Sequence, residues 1–190
     1  MLLFSNPLPL SIHWIYFMST YHRLYITGGL YFFTLVTYER RSFLCEENAL
    51  LRLKAAFRYA IKKQPFHITG LVILPNHLHC IWQLPKNDSD FSARWSLIKY
   101  YFSMGVEGIT NNRREKSIWQ KRFWEHYIKT EEELVNCLDY IHYNPVKHGY
   151  VNNPCDWTHS TFKQHVKNGL YTMDWASNEE PFIIQKTQWE

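Results

Sequence analysis

Hydrophobic and polar residues follow one another along the chain in a pattern that predicts strands and helices from residue 30 onward. The run 30–37, LYFFTLVT, is β-branched and aromatic and follows a Gly-Gly pair, which is typical of a strand. Residues 46–63 carry apolar side chains at helical spacing and predict a helix. The apolar runs 66–74 and 77–84 flank a Pro-Asn turn signal, so they predict a β-hairpin.

The second half of the chain continues this alternation. Residues 91–104 have the spacing of a helix, and the polar, basic residues 105–117 predict a mobile loop. Residues 118–128 are aromatic and basic and predict another strand. The order up to this point is strand, helix, strand, strand, helix, strand.

A capping box opens the last long helix. Thr130 is the expected N-cap and Glu133 the expected N3 residue. We expect this helix to end near Asn144, because Pro145 disfavours a helical conformation in the residue before it. The predicted fold is therefore α+β: a ferredoxin-like β-α-β-β-α-β antiparallel sheet with helices on one face, plus an appended C-terminal helix.

The distribution of charged residues predicts the domain boundaries. Residues 1–17 contain two prolines and no Lys, Arg, Asp or Glu, so we expect a disordered or mis-assigned extension, with the true start at Met18. Residues 18–176 are expected to form one domain, and residues 177–190 a C-terminal tail. A chain of 190 residues suits a single domain of this kind.

The composition excludes several classes of protein. Hydrophobic residues make up 46% of the chain and charged residues 20%, which excludes an intrinsically disordered protein. The four cysteines form no CxxC pair, so a zinc ribbon is not expected, and scattered thiols suit a reducing cytoplasm. No long uncharged apolar run predicts a membrane span, so we expect a cytoplasmic protein with no membrane partner.

The net charge of +4 hides two basic blocks. Residues 18–74 and residues 94–129 each carry eight Lys and Arg against three acids, whereas residues 130–190 carry four against nine. Such a distribution suits a polyanion bound to one side of the molecule. Ordinary solvated helix faces account for it equally well.

Two histidines in the predicted hairpin are candidates for metal binding. His77 and His79 are two residues apart on a predicted strand, so both imidazoles point to the same face. Two neutral imidazoles at this spacing can hold one divalent cation and leave most of its coordination open. The alternative is a half-buried pair with no ligand.

The appended helix carries a candidate nucleophile. Leu134, Leu138 and Ile141 define its predicted buried stripe, and Tyr140 and Asn144 lie together on the flank of that stripe. From there a tyrosine hydroxyl can project toward a neighbouring sheet edge. The alternative is an amphipathic core tyrosine whose hydroxyl reaches water.

The segment IWQKRFWEH mixes aromatic and basic side chains. Single-stranded nucleic acid needs stacking planes and phosphate contacts, and this segment offers both. The alternative is a core strand whose charged residues face water. The candidate DNA-binding residues here are Trp119, Lys121, Arg122 and Trp124.

Together these features resemble the HUH single-tyrosine transposases, and most closely the REP-associated tyrosine transposases of bacteria. The resemblance covers residues 21–175. It rests on a Gly-Gly pair before YFFTLVT, on LPNHLHCIWQLP, on IWQKRFWEH and on DYIHYNPVKHGYV, in that order.

The resemblance implies a role for each site residue. His77 and His79 match the paired metal ligands of the family, Tyr140 matches its nucleophile, and Asn144 stands where relatives supply a third polar ligand. The cation is expected to be Mg²⁺ or Mn²⁺. The implied activity is metal-dependent cleavage and transfer of single-stranded DNA through a 5′-phosphotyrosyl intermediate.

The implied partner is a palindromic repeat hairpin with a single-stranded flank, bound by a monomer or a homodimer. Arg40 and Arg41, after the first strand, and Lys147, near the tyrosine, are further candidates for phosphate contacts. One competing hypothesis is a non-catalytic binder of single-stranded nucleic acid or repeats on the same fold. Another is a zinc hydrolase, for which His67 is the one additional ligand on the neighbouring strand.

Overall fold

A four-stranded antiparallel sheet organises the computed structural model of this chain, which describes residues 23–106, 109–110, 116–177 and 181. The sheet strands are β1 (Leu30–Val36), β2 (His67–Ile73), β3 (His77–Gln83) and β6 (Trp124–Ile128), in the spatial order β2-β3-β1-β6. The helices are α1 (Glu47–Lys63), α2 (Phe91–Ser103), α3 (Glu131–Lys147) and α4 (Phe162–Lys167). A two-residue hairpin, β4 (Ile109–Thr110) and β5 (Lys116–Ser117), lies between α2 and β6.

This strand order confirms the predicted α+β, ferredoxin-like fold. Helix α1 connects β1 to β2 and helix α2 connects β3 to β6, and the two helices pack against each other on one face of the sheet. Strand β1 is buried on both faces, which is why it is apolar at almost every position. Tyr31, Phe33 and Leu35 pack in the core under α1 and α2, whereas Phe32 belongs to a second core on the opposite face.

Helix α3 covers that opposite face. Cys137, Leu138 and Ile141 pack there against strands β2 and β3. The approach is close at Gly70, where an added Cβ would lie 2.7 Å from Leu138 Cδ2. A side chain at residue 70 would therefore push against the helix that carries the candidate tyrosine.

Two predicted element boundaries were wrong, and one predicted loop contains a short hairpin. Helix α3 does not end at Asn144 but passes through Pro145 to Lys147. Proline removes only its own N–H donor there, and the last turn is closed by bonds from the His148 N–H to the Asn144 carbonyl (3.0 Å) and from the Tyr150 N–H to the Pro145 carbonyl (2.9 Å).

The other two corrections concern the segment before β6. The predicted strand 118–128 is shorter, because only Trp124–Ile128 pairs with β1, and Trp119 forms a single isolated bridge with Thr37. The predicted loop 105–117 contains the short β4–β5 hairpin.

The two edges of the sheet differ. Residues 159–161 cover the edge of β2, with bonds from the Ile73 N–H to the His159 carbonyl (2.8 Å) and from the Thr161 N–H to the Leu71 carbonyl (2.9 Å). Strand β6 forms the other edge. Across the part of the chain that the structure describes, no helix has the length and apolarity needed to span a membrane. The predicted extension 1–17, Met18 and most of the predicted tail 177–190 lie outside the described residues.

Candidate active site

The two candidate metal ligands lie side by side on β3, on the face that α3 covers. His77 and His79 are both buried, and their ring centroids are 4.9 Å apart. Leu78, between them, points into the core under α1 and α2. The alternation of the strand thus turns both imidazoles to one face, as the spacing predicts.

Polar neighbours hold both imidazole rings through Nδ1. His77 Nδ1 donates to the Asn76 side-chain oxygen at 2.6 Å, and His79 Nδ1 hydrogen-bonds with Thr34 Oγ1 at 2.9 Å. Because an amide oxygen can only accept, His77 donates from Nδ1, and in the neutral ring Nε2 then carries the lone pair. Partners of this kind orient metal-binding histidines in proteins. Neither Asn76 nor Thr34 is titratable, and the sequence analysis missed both.

The candidate nucleophile faces the histidine pair. The Tyr140 ring centroid is 5.3 Å from that of His79 and 6.0 Å from that of Phe32. Tyr140 was expected on the flank of α3, but the structure buries it completely. The apolar sheet face needs a wider cover than the three-residue stripe provides, so the helix buries its flank as well.

A lysine from the last turn of α3 reaches the tyrosine hydroxyl. Lys147 Nζ donates a hydrogen bond to Tyr140 Oη at 3.3 Å and lies 4.9 Å from the ring centroid. The sequence analysis assigned Lys147 to DNA phosphates. In the structure its ammonium group lies against the Tyr140 hydroxyl oxygen, while the side chain stays exposed to solvent.

Asn144 lies one turn after Tyr140 and is fully buried. Neither its side-chain oxygen nor its side-chain nitrogen has a hydrogen-bond partner among the described residues. A buried amide without partners is costly, about 1–3 kcal/mol, so its presence in a core needs a reason. A ligand bound beside it would supply one.

A third histidine ring lies beside the histidine pair on β3. His148, the C-cap of α3, has its ring centroid 5.2 Å from that of His77. Sequence reasoning missed it, although a signal was present: Tyr140, Asn144 and His148 are spaced by four residues and so lie on one helical stripe.

The predicted DNA-binding aromatics lie in different environments. Trp124 is 38% exposed on the α3 face, beside the site. Trp119 is only 8% exposed and packs 5.1 Å from the Phe102 ring in the core under α1 and α2. Trp119 is therefore a core side chain, and its burial argues against the predicted stacking role. Lys121 and Arg122 are exposed just before β6.

The arginine pair follows β1 at the end of the sheet where His77 lies opposite Val36. Arg40 is exposed in a short turn and has a positive φ of 52°. Arg41 is half-buried, with its guanidinium 5.4 Å from the Phe43 ring centroid. The structure thus leaves Arg40 accessible to a phosphate at this end of the sheet.

His67 does not lie near His77, so it does not join the candidate site. It is exposed and pairs with Gln83, at the far end of β3 from His77. Within the described ranges, no three His, Cys, Asp or Glu side chains are arranged to hold a metal ion. The zinc-hydrolase hypothesis therefore lacks its third ligand there.

The C-terminal segment holds the other side of α3. Tyr171 Oη donates to Asp139 Oδ1 at 2.7 Å, and Thr161 Oγ1 hydrogen-bonds with His142 Nε2 at 3.2 Å. Burial raises the pKa of Asp139, although the Tyr171 hydrogen bond opposes that shift. Burial, aided by His165, lowers the pKa of His142 to about 3, so that imidazole is neutral at pH 7. These contacts fix the rotation of α3 and therefore the position of Tyr140.

Comparison with known proteins identifies the family to which this chain belongs. The family model described as "Transposase IS200 like" matches residues 26–144. The REP-associated tyrosine transposase of Escherichia coli (strain K12) is 44% identical over 165 residues, which are 87% of this chain and 95% of that protein. A Haemophilus influenzae protein is 40% identical over 171 residues, 86% and 96% of the two chains.

A solved structure shows similarity to the same group of proteins. A REP-associated tyrosine transposase bound to a REP hairpin superposes with a TM-score of 0.76 at 44% identity, covering 87% of this chain and 95% of that one. The matched family residues contain the histidine pair, the tyrosine and the asparagine described above. This chain therefore belongs to the IS200-like transposase family, in the group of the REP-associated tyrosine transposases.

Proposed function

We propose that this chain cleaves and rejoins single-stranded DNA, with Tyr140 as the nucleophile and a divalent cation held beside it. The observation that carries the proposal is the Tyr140 ring, 5.3 Å from the ring of His79 on the face to which both strand histidines point. Family membership supports the same chemistry. Binding of nucleic acid alone does not require a buried tyrosine that faces a histidine pair.

The donor set of the site fits a small divalent cation. His77 and His79 supply imidazole nitrogens, and Asn144 supplies an amide oxygen that no described residue satisfies. Nitrogen and oxygen donors together suit Mn²⁺ or Mg²⁺, and imidazole favours Mn²⁺. When bound, such a cation supplies Lewis acidity, which makes the phosphorus more electrophilic and stabilises the leaving oxygen.

The reaction assigned to Tyr140 is a displacement at phosphorus. The bond from Tyr140 Oη to phosphorus forms while the bond from phosphorus to the 3′ oxygen breaks, which gives a 5′-phosphotyrosyl link and a 3′ oxygen. The phenolic proton passes to water, and the 3′ oxygen takes up a proton to become a hydroxyl. A 3′-hydroxyl that attacks this link reverses the step and reseals a strand without external energy.

The chain's own residues assist this step. A neutral tyrosine hydroxyl is a weak nucleophile, and the Lys147 ammonium donates to its oxygen, which stabilises negative charge as the proton leaves. Asn76 and Thr34 keep the histidine rings in place during the reaction. The packing of α3 on the sheet holds the nucleophile at one position.

The substrate we propose is a single strand that flanks a palindromic hairpin. The relative solved with a REP hairpin supports this class of partner. Arg40, Lys121 and Arg122 are exposed cations suited to phosphates on the strand or the stem.

Covalent capture tests the proposal. Purified protein is mixed with a hairpin oligonucleotide from beside its own gene, labelled on the 3′ side, with Mn²⁺. We expect a protein–DNA band that survives denaturation, which Tyr140→Phe loses while it retains DNA binding. An undiminished band in Tyr140→Phe contradicts the assignment of the nucleophile.

The metal site is tested separately with the double variant His77→Ala/His79→Ala. We expect it to lose cation-dependent cleavage, and full activity in that variant contradicts the metal site. Tight, salt-sensitive DNA binding with no covalent band in the unmodified protein favours the competing hypothesis of a non-catalytic repeat-binding protein.

A further inference from the structure

An exposed aromatic stack lies beside the candidate active site. The rings of Trp124 and His126, alternate residues on the edge strand β6, are nearly parallel, with an interplanar angle of 7° and a centroid distance of 5.8 Å. Trp124 is 38% exposed, and His126 is partly exposed. We call these two rings the edge stack.

The edge stack is continuous with the reacting groups. Phe32 contacts Trp124 edge-on at 5.8 Å, and the same ring lies 5.4 Å from His79 and 6.0 Å from Tyr140. Thr34 pairs with Trp124 on one side and with His79 on the other, so these three residues form one row across the sheet. Two strand spacings, about 10 Å, therefore separate the backbone at Trp124 from that at His79.

The edge stack is also held in place before any ligand binds. His126 Nε2 and Glu133 Oε1 are 2.5 Å apart, and Glu133 accepts from the Lys129 N–H at 2.7 Å. Glu133 in turn donates its own N–H to the N-cap hydroxyl of Thr130 at 3.1 Å. The start of α3 thus fixes the His126 ring, and a ring already fixed loses little entropy on binding.

The shape and charge of the surroundings suit a nucleotide. An open groove of about 340 Å³ runs along β6, and its lining includes Trp124, His126 and Lys129. Glu125 also lines this groove, and its carboxylate is paired with Arg23 at 2.8 Å. That volume lies within the range of small-molecule sites, about 300–1,000 Å³. Aromatic rings next to a cation are the combination that single-stranded nucleic acid uses, because every base has a face that can stack.

We propose that the edge stack binds the nucleobase nearest the scissile phosphate and so aligns that phosphate with Tyr140. The proposal rests on the proposed function for the identity of the strand, and it adds the residues that position this strand. Trp124 provides the face on which the base stacks, and Glu133 acts as a positioning residue through His126.

A double-mutant cycle, which combines a protein variant with abasic DNA, tests whether the edge stack binds a base. The Tyr140→Phe protein, which binds without cleaving, is titrated with the same hairpin oligonucleotide, intact or with one abasic site at each flanking position in turn. Adding Trp124→Ala should weaken binding about 5- to 160-fold, the usual value of one stacked base. One abasic position should weaken it equally, and combining the two should cause no further loss.

A spectroscopic measurement separates stacking from a structural role. With 2-aminopurine at that position, binding should quench its fluorescence, Trp124→Phe should retain most of the quenching, and Trp124→Ala should abolish it. Glu133→Gln should reduce the quenching, because it weakens the contact that orients His126. The matched control is Tyr100→Ala, which removes a 67% exposed ring from α2 on the other layer and should change nothing.

The binding cycle and the covalent assay can fail separately, so they distinguish the edge stack from the cleavage proposal. If the unmodified protein forms the covalent band but the losses from Trp124→Ala and from every abasic site multiply, the edge stack is wrong and the proposed function stands. If the two losses coincide at one position but no covalent band forms, the edge stack holds and the cleavage proposal is wrong.

Discussion

Lys147 Nζ lies 3.3 Å from Tyr140 Oη, two turns apart on α3, and donates a hydrogen bond to that oxygen. The charge therefore acts on the oxygen that we propose as the nucleophile. This relationship depends on α3 continuing past Pro145, because a helix that ended at Asn144 would not place residue 147 over residue 140.

We expect Lys147→Met to slow covalent adduct formation about 100-fold under single-turnover conditions, the usual cost of removing one donor from developing charge. Lys147→Arg, which keeps a donor, should lose less. A phosphate contact would behave differently: binding would weaken, its salt dependence would fall by about one unit of slope, and the rate at saturating DNA would not change. That second pattern contradicts the role assigned to Lys147.

We expect Asn144→Leu to raise the midpoint of thermal unfolding of the metal-free protein, because it removes a buried amide that no described residue satisfies. The same variant should lose the upward shift that Mn²⁺ produces in the unmodified protein, since a cation that binds only the folded state stabilises it. Thermal unfolding with and without Mn²⁺ measures both effects.

Asn136→Leu is the matched control for this variant. It makes the same change on the same helix at a half-buried position away from the histidine pair, so it should leave the Mn²⁺ shift intact. If Asn144→Leu keeps the full shift, Asn144 is not a ligand.

We expect Gly70→Val to destabilise the protein by about 1–3 kcal/mol, because the first atom of a side chain there already lies 2.7 Å from Leu138 Cδ2. The helix must shift or its side chains must repack, so adduct formation should fall as well. Urea unfolding measures the stability. Adding Leu138→Ala to Gly70→Val should recover part of the lost activity by restoring space, and a double variant that is worse in both respects contradicts this account.

Much of the fold could be predicted because its periodicities are strong. Strand β1 and helix α1 were predicted to within a residue at each end, because a run of aromatic and β-branched residues after a Gly-Gly pair favours a strand and a 3.6-residue stripe favours a helix. The end of α3 could not be predicted, because the local effect of Pro145 is outweighed by the burial of Asn144 and Pro145 and by the hydrogen bonds that close the last turn. The interior position of Trp119 was also hidden, since an aromatic residue among cations has the same pattern in a core and on a surface.

The site was predictable where spacing alone brings residues together. His77 and His79 share a face on any strand, and Tyr140 and Asn144 share one on any helix. That the two pairs meet depends on α3 packing on the sheet face opposite to α1 and α2, which no local pattern specifies. The roles of Asn76 and Thr34 likewise appear only with the hydrogen bonds, because an Asn or a Thr beside a histidine has no spacing signature.

The last prediction concerns pH. Burial, together with His165 on α4, lowers the pKa of His142 to about 3, whereas a histidine in the unfolded chain has a pKa of about 6.5. Between these two pH values the unfolded state binds a proton at His142 and the folded state does not. The free energy of unfolding is therefore highest above about pH 6.5 and falls as the pH drops toward 3, by of order 1 kcal/mol per pH unit.

His142→Gln cannot titrate, so its free energy of unfolding in urea should fall less between pH 7 and pH 5 than that of the unmodified protein. His67→Gln, which changes an exposed histidine on β2, should retain the full loss. An equal loss in all three proteins means that the acid sensitivity does not arise at His142.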